Sequence, residues 1–418
     1  MTAGHLDSSF GLFGTAGASI GGEHAEANAV AIQPDGRIVV AGLASHAGVS
    51  ALAVARFLSN GRLDPSFGGG AGLLPGELRI PLARGQSRAN AIALQPDGKI
   101  VIGGSIAVST AGDTIMFVAR LMADGTLDRG FAVGGVALVE SLRNGAVNGL
   151  AILGSGRIIA VGPSLADHTL AFSLVGFRGD GSLDPAFGTA GFVRTVIGLA
   201  STFLAPVPFA VVDQAVGIVL AGRAIIGTGT SGVLQPAFAR YKPDGSLDSS
   251  FGDHGILSIA PGHRSQCVAL AVSANYYILA GGDTSDGPVD FLATVLEART
   301  GRPIFSPGPA LTMSFGDLGY SQAYARGCAV HNDGQTEHWL LAGSVSDGAK
   351  RNIGLVRYQF NGTLDTSFSG GRVVTSFISG PCEVTGVAIQ HSDRKIVVVC
   401  TADYGTTKIF GLARYLGV

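Results

Sequence analysis

The chain has 418 residues, 46% of them hydrophobic and only 14% charged, with 64 glycines and a formal net charge of −2, where about 25% charged is usual for a soluble domain. A near-neutral balance without a Lys/Arg block excludes nucleic acid and an anionic membrane as main partners, because both rely on clustered positive charge. No apolar run approaches the roughly 18 residues that span a bilayer, and "MTAGHLDSSF" lacks the basic start and apolar stretch of a signal peptide, so a soluble, unexported chain is expected unless a leader has been removed.

In chain order, "GHLDSSFGLFGTAGASI" reads as a turn followed by a strand. Asn28 to Gln33 alternates around apolar residues, Pro34 to Gly36 is a turn, and Ile38 to Ala41 follows, which is a β-hairpin signal. A variable loop then leads to a third strand, Ala51 to Leu58, and "SNGRLD" turns into a fourth around Gly72 to Leu82. The phrase returns as "DGTLDRGF", "DGSLDPAF", "DGSLDSSF" and "NGTLDTSF", and a degenerate copy stands at "RTGRPIF". Its glycines, Gly4, Gly61, Gly125, Gly181, Gly245, Gly301 and Gly362, lie 56 to 64 residues apart, and the step from Gly362 through the chain end and start to Gly4 is 60. The last stretch, "KIFGLARYLGV", reads as a third strand stopping just before its turn, which the first stretch supplies.

Seven repeats of four antiparallel strands are therefore predicted, over residues 21–82, 83–140, 141–198, 199–260, 261–315, 316–377 and 378–418 plus 1–20, in a single domain. Sheets apolar on both faces need neighbours on both sides. An all-β, seven-bladed β-propeller, its last blade closed by the N-terminal strand, satisfies that need; an open solenoid would require polar caps that the sequence does not show. The Asp of each phrase (Asp7, Asp64, Asp128, Asp184, Asp248, Asp365) is read as a structural acceptor of backbone N–H groups, because a catalytic residue is normally single. An Arg five residues before the Gly (Arg56, Arg120, Arg240, Arg357) is a candidate partner for it. The fifth repeat, with Leu296 and Ile304, fits a coupled pair; the third, with Gly176 but Asp184, does not.

The combination "AIQPDGRIVVAG", "ALAVARF" and "GRLDPSFG" resembles the bacterial delta-sixty repeat family, a domain of unknown function classed as a β-propeller. The resemblance covers essentially the whole chain, most weakly in the fifth repeat. It implies the propeller fold and a frequent secreted or surface location, and it brings no catalytic residues.

Function has to be sought where the repeats differ. The two short turns of each repeat share one face, so variable residues belong on the other. Aligned on "AIQPDG", the lead-in to each first strand carries Asn28, Asn90, Asn148, Arg326 and Thr385 in one column, Glu26, Arg88, Tyr324 and Glu383 two residues earlier, and His24 and His263 two earlier again. Placed around the mouth of a central channel, Asn28, Arg88, Asn90, Asn148, His263 and Arg326 are candidate ligand contacts, and Glu26, Glu383, Tyr324 and His24 candidate acid/base groups. The reading is a binding scaffold for a small polar molecule, a carbohydrate or a protein loop. The alternatives are a hydrolase or lyase at that mouth and a purely structural surface module. A monomer is expected, with no nucleic acid, no membrane insertion and no cofactor.

Signals for metals are weaker. Cys267 and Cys382 with the two histidines suit zinc by donor type, and the acidic loop Gly282 to Asp290 suits calcium by charge alone, without the loop spacing that calcium sites use. The four cysteines, Cys267, Cys328, Cys382 and Cys400, are read as isolated thiols. Trp339 is read as core, and "GTGTSG" at Gly227 to Gly232 is discarded as a phosphate loop for want of a Lys and a helix. No nucleophile elbow or zinc-protease motif is present.

Overall fold

The structure, a computed structural model, describes residues 2–417 apart from 23, 71, 83, 110–111, 167–168, 199–206, 215–216, 228–231, 260–264, 274, 284–289 and 305–310. The strands are β1 (Thr15–Ala18); β2 (His24–Ile32), β3 (Ile38–His46), β4 (Val49–Phe57) and β5 (Glu77–Ile80); β6 (Ser87–Leu94), β7 (Ile100–Ala107), β8 (Thr114–Leu121) and β9 (Val136–Arg143). Next come β10 (Gly149–Ile152), β11 (Ile158–Ala166), β12 (Thr169–Phe177) and β13 (Phe192–Thr195); β14 (Val207–Gln214), β15 (Gly217–Ile226), β16 (Val233–Tyr241) and β17 (Ile256–Ser258); and β18 (Ser265–Val272), β19 (Tyr276–Asp283), β20 (Phe291–Glu297) and β21 (Leu311–Met313). The last are β22 (Gln322–Asn332), β23 (Glu337–Ser346), β24 (Arg351–Gln359) and β25 (Arg372–Thr375), then β26 (Cys382–Ile389), β27 (Ile396–Tyr404) and β28 (Thr407–Tyr415). Among the described residues there is no α-helix.

Two compact units divide the chain: Met1–Pro81 with Ala280–Ala293 and Leu311–Val418, and Leu82–Leu279 with Thr294–Ala310. In the first, three four-stranded antiparallel sheets run β2-β3-β4-β5, β22-β23-β24-β25 and β1-β28-β27-β26. The third joins the two ends of the polypeptide, with Thr15 opposite Ala413 and Ala18 opposite Phe410. In the second unit β14-β15-β16-β17 form one sheet, while β6 to β9 and β10 to β13 are linked by the single pairing of Leu165 with Arg143. The strands β18-β19-β20-β21 form a further sheet, divided in sequence between the units.

Four successive residues of β3, Ile38 to Ala41, are all at 0% exposure, which requires cover on both faces of their sheet. The core clusters show how the sheets of the first unit meet that need. Val384, Ile396 and Val398 pack with Leu340, Ala342 and Leu355. On the other side Val397, Val399, Phe410 and Leu412 pack with Ala25, Ala27, Val40 and Ala53. The sheet that joins the chain ends is thus held between the other two. In the second unit Ile158, Ala160 and Val175 pack with Val101 and Val118, and Val161 and Leu174 pack with Leu220 and Ala239.

The strands begin earlier than alternation suggests. β2 starts at His24 and not at Asn28, and the residues read as lead-in loops are in the sheet. The reason is a β-bulge: pairing with the next strand skips one residue between Ala27 and Ala29, between Ala89 and Ala91, between Ala325 and Gly327, and between Val384 and Gly386. The extra residues are Asn28, Asn90, Arg326 and Thr385, four members of the column singled out from the sequence. An inserted residue reverses the inside/outside parity of everything before it and re-aims its own side chain. Opposite the bulge the backbones approach closely; a Cβ on Gly343 would lie 1.9 Å from the Tyr324 carbonyl oxygen, and one on Gly42 1.8 Å from that of Glu26. Only glycine fits there. The fourth strand is the element most overestimated, since β5 covers only Glu77–Ile80.

The repeated phrase builds a latch. Arg56 Nε donates to Asp64 Oδ2 at 2.8 Å, Arg120 to Asp128 at 2.9 Å, Arg240 to Asp248 at 2.8 Å and Arg357 to Asp365 at 2.7 Å. Each guanidinium lies over the Phe that follows, at 4.5 Å for Phe67, Phe131 and Phe368 and 4.8 Å for Phe251. The third repeat, which lacks the Arg, uses Arg157 from its hairpin turn, with Nε 2.6 Å from Asp184 Oδ2. One further latch is assembled from both chain ends, Arg414 Nη2 standing 2.7 Å from Asp7 Oδ2 and its carbon 4.6 Å from the Phe10 ring centre. Several of these arginines also donate to a carbonyl in the following repeat: Arg240 to Ala298 at 2.7 Å, Arg157 to Pro243 at 2.7 Å, Arg357 to Gly417 and Arg414 to Ser59.

This network sets the acid limit of the fold. Burial alone pushes the Asp64 carboxyl up, but the hydroxyl and N–H of Ser66 and the Arg56 and Arg37 charges outweigh it and hold the group below the usual 3.8. Asp7, Asp248 and Asp365 are held low by the same balance. His331 sits below its ordinary 6.5, because burial disfavours its cation and Arg357 lies beside it. Depressed values mean that the unfolded chain takes up protons first, so stability is complete above the unfolded values and is lost as pH falls. Thermal unfolding followed by circular dichroism should show a small decline below pH 6.5 from His331 and a steep one below 3.8 from the aspartates. A His331→Gln variant should lose only the first stage.

Candidate functional site

The strongest candidate site lies in the first unit, at the strand ends opposite the latch turns. Pairing aligns Gln322 with Ser346 and Tyr324 with Ser344 across β22 and β23, and Ser346 with Arg351 across β23 and β24. Residues opposite one another share a face, and residues two apart on a strand share it too. Register therefore lays Gln322, Ser346 and Arg351 in one row and Tyr324 and Ser344 in the next. The bulge brings Arg326 beside them, and Glu383 reaches in from β26. These seven residues line a cleft of about 340 Å³, and every one carries a hydrogen-bonding side chain.

Glu383 is the electrostatic centre of the cleft. One carboxylate oxygen accepts from Arg351 Nη1 at 3.1 Å, and the other lies 3.9 Å from Arg326 Nη2. The second distance is an ion pair without a hydrogen bond. The side chains of Arg326, Arg351 and Glu383 remain 42%, 58% and 46% exposed. Ser344 has a second task, its Oγ accepting the Val384 N–H at 2.8 Å and so tying β23 to β26. Thr401, at the equivalent place on β27, accepts the Ala27 N–H at 3.1 Å.

Of the residues singled out from sequence, Tyr324, Arg326 and Glu383 come together here. His24 and Glu26 form a separate pair on β2, with Nε2 and Oε1 3.1 Å apart. Asn90 spends its amide on the neighbouring meander, donating to the Val147 carbonyl at 3.2 Å and to Asn148 Oδ1 at 3.4 Å, which makes both asparagines structural ties. Asn28 is the bulge residue of β2, and Arg88 is exposed on β6. His263 lies outside the described residues, as does most of the acidic loop Gly282 to Asp290 and of the Gly227 to Gly232 stretch.

Sequence reasoning missed Arg351, Ser344 and Ser346. The available signal was the hairpin itself, since Ser346 and Arg351 flank the turn "DGAK" symmetrically. The sulfur ligands considered for zinc are core residues: Cys382 packs with Val384 and Leu340, and Cys267 with Phe251 and Tyr277. Burial pushes the Cys267 thiol up to about 12, far from a thiolate ligand. Among the described residues no three His, Cys, Asp or Glu side chains are grouped to hold a metal. Trp339 is buried beside Phe360, in the core as expected. No described helix is long and apolar enough to cross a membrane.

No curated protein matches the chain in sequence. Among solved structures, Drosophila Semaphorin 2a aligns with 95% of this chain and 74% of its own at 8% identity and a TM-score of 0.54, a likeness of fold alone. Chaetomium thermophilum Sqt1 aligns over 96% and 97% of the two chains at 14% identity and TM-score 0.45. The β-propeller domain of the Trilobed protease from Pyrococcus furiosus aligns over 94% of each at 8% identity and TM-score 0.46. Residues 33–67, 95–131, 218–251 and 332–368 match the family profile described as "Domain of unknown function (DUF5122) beta-propeller", every matched stretch ends on the Phe beneath a latch arginine, and the fold is a β-propeller.

Proposed function

We propose that the chain is a single-domain, seven-bladed β-propeller of four-stranded blades whose closing blade is β26, β27, β28 and β1, and that it binds a small polar ligand in the cleft around Glu383. The fold supports the blade count through the sheet orders and the 56 to 64-residue period. The binding reading rests on one observation: a cleft of about 340 Å³ lined only by hydrogen-bonding side chains, in a chain that is 46% hydrophobic and only 14% charged. Such a volume is at the small end of ligand pockets, about 300–1,000 Å³. Glu383 accepts from Arg351 and has a second guanidinium, that of Arg326, 3.9 Å away, an arrangement that suits clamping more than proton transfer and favours binding over a hydrolase or lyase.

The test is a titration of small polar probes followed by backbone amide NMR. Shifts should cluster at Gln322, Tyr324, Ser344 and Glu383. Arg351→Ala should weaken binding about tenfold or more, while its exposed ion pair changes stability by no more than about 1 kcal/mol. Shifts scattered away from the cleft, or a large stability loss in that variant, would count against the site.

A further inference from the structure

We propose that the ligand of this cleft is a monoanionic sugar, a pyranose bearing one carboxylate, held with its carboxylate on Arg326 and its ring over Tyr324. The inference rests on the binding reading above and adds the chemical class. Charge comes first: two guanidiniums and one carboxylate leave the cleft a net charge of +1, which one carboxylate neutralises. A dianion such as phosphate would overshoot that charge and leave the occupied cleft with an uncompensated negative charge.

Arg326 is the free arm of the pair. Its 3.9 Å separation from Glu383 leaves its planar fork of donors uncommitted to that carboxylate, whereas Arg351 at 3.1 Å is already spent on it. A guanidinium fork matches a carboxylate in two parallel hydrogen bonds, which ammonium groups cannot do. The rest of the lining suits a ring of hydroxyls. Ser344 and Ser346 are two residues apart on one face of β23, about 6.6 Å along the strand. The Gln322 amide lies opposite Ser346, and the half-buried Tyr324 supplies an aromatic face with a polar tip.

The equivalent places in the unit's other sheets show that this arrangement is not a by-product of the repeat. The positions of Arg326 and Arg351 are held by Thr385 and Lys408 on the β26–β28 sheet and by Asn28 and Ser50 on the β2–β5 sheet. Only one of the three carries two guanidiniums. A repeated latch can be purely structural, but a cluster carried by one of these three sheets and not by the others answers to something outside the fold.

Calorimetry on the full chain with D-glucuronate, D-glucose and acetate as separate probes decides the matter. Glucuronate should bind about tenfold or more tighter than glucose and than acetate, as expected for one charge-assisted bidentate pair added to ring contacts. Arg326→Ala should erase the preference over glucose while its thermal midpoint stays that of the parent, and added salt should weaken glucuronate alone. Equal affinity for glucose and glucuronate, with both lost in Tyr324→Ala, would overturn the anionic class and leave the cleft standing. Acetate binding as tightly as glucuronate would overturn the sugar. Absence of binding by all three probes at millimolar concentration would overturn the class together with the binding reading beneath it.

Discussion

Replacing Arg357 by Leu is expected to cost about 3–5 kcal/mol of stability, read as a lowered midpoint in urea unfolding, because it strands a buried carboxylate. Arg357 and Asp365 are 3% and 2% exposed, and the guanidinium also donates to Ser367 Oγ at 3.3 Å and to the Gly417 carbonyl. The Ser367 N–H and hydroxyl would remain as partial compensation. The fifth repeat indicates how the loss can be recovered. There the two positions are Leu296, fully buried, and Ile304, whose N–H still bonds the Val295 carbonyl at 3.0 Å. A turn with neither charge therefore holds. Arg357→Leu combined with Asp365→Ile should be less destabilised than the sum of the single changes, the sign of coupling in a double-mutant cycle. Additive losses, or a single-variant cost below about 1 kcal/mol, would show that the pair is a surface ornament.

Deleting residues 1–20 is expected to abolish cooperative folding. The deletion removes β1 and with it four ladder pairs along β28, leaving that strand as an open edge. It also removes Phe10 and Ile20, at 0% and 1% exposure, and the Asp7 partner of buried Arg414. A large buried aromatic is worth about 3–5 kcal/mol, and an orphaned buried charge costs a similar amount. Together these reach the 5–15 kcal/mol that a whole domain possesses. Near-ultraviolet circular dichroism should lose its sharp thermal transition, and a synthetic peptide of residues 1–20 added in trans should restore it. A truncated chain that melts like the parent would refute the role given to the paired termini.

The architecture was legible because repetition is a one-dimensional property. Seven glycines at near-equal spacing, an Arg eight residues before an Asp, and a last strand lacking its turn are all visible without coordinates. The third repeat looked like an exception, since Gly176 stands where the others have Arg; the structure supplies Arg157 from another turn, a substitution across 27 residues that spacing alone does not reveal. The bulges were half-visible. Asn28, Asn90, Arg326 and Thr385 stand in one column of the sequence, but alternation marks no strand before them, because one extra residue per strand reverses the alternation on which strand limits are read.

The site divides differently. Its polar character on the variable face came from the columns, and so did Tyr324, Arg326 and Glu383. Which members meet was decided by register and by the packing of separate sheets: Ser346 faces Arg351 through a hairpin, and Glu383 arrives from a strand more than 30 residues away. Asn90 and Asn148 belong to the same column as Arg326, yet they face one another and tie sheets together. Local order thus determined the repeat, the latch and the need for cover on both sheet faces, because these depend on residues near one another in the chain or on an identical neighbour. Tertiary structure alone decided which unlike side chains share a cleft, because a repeated pattern makes all such positions equivalent until the sheets pack.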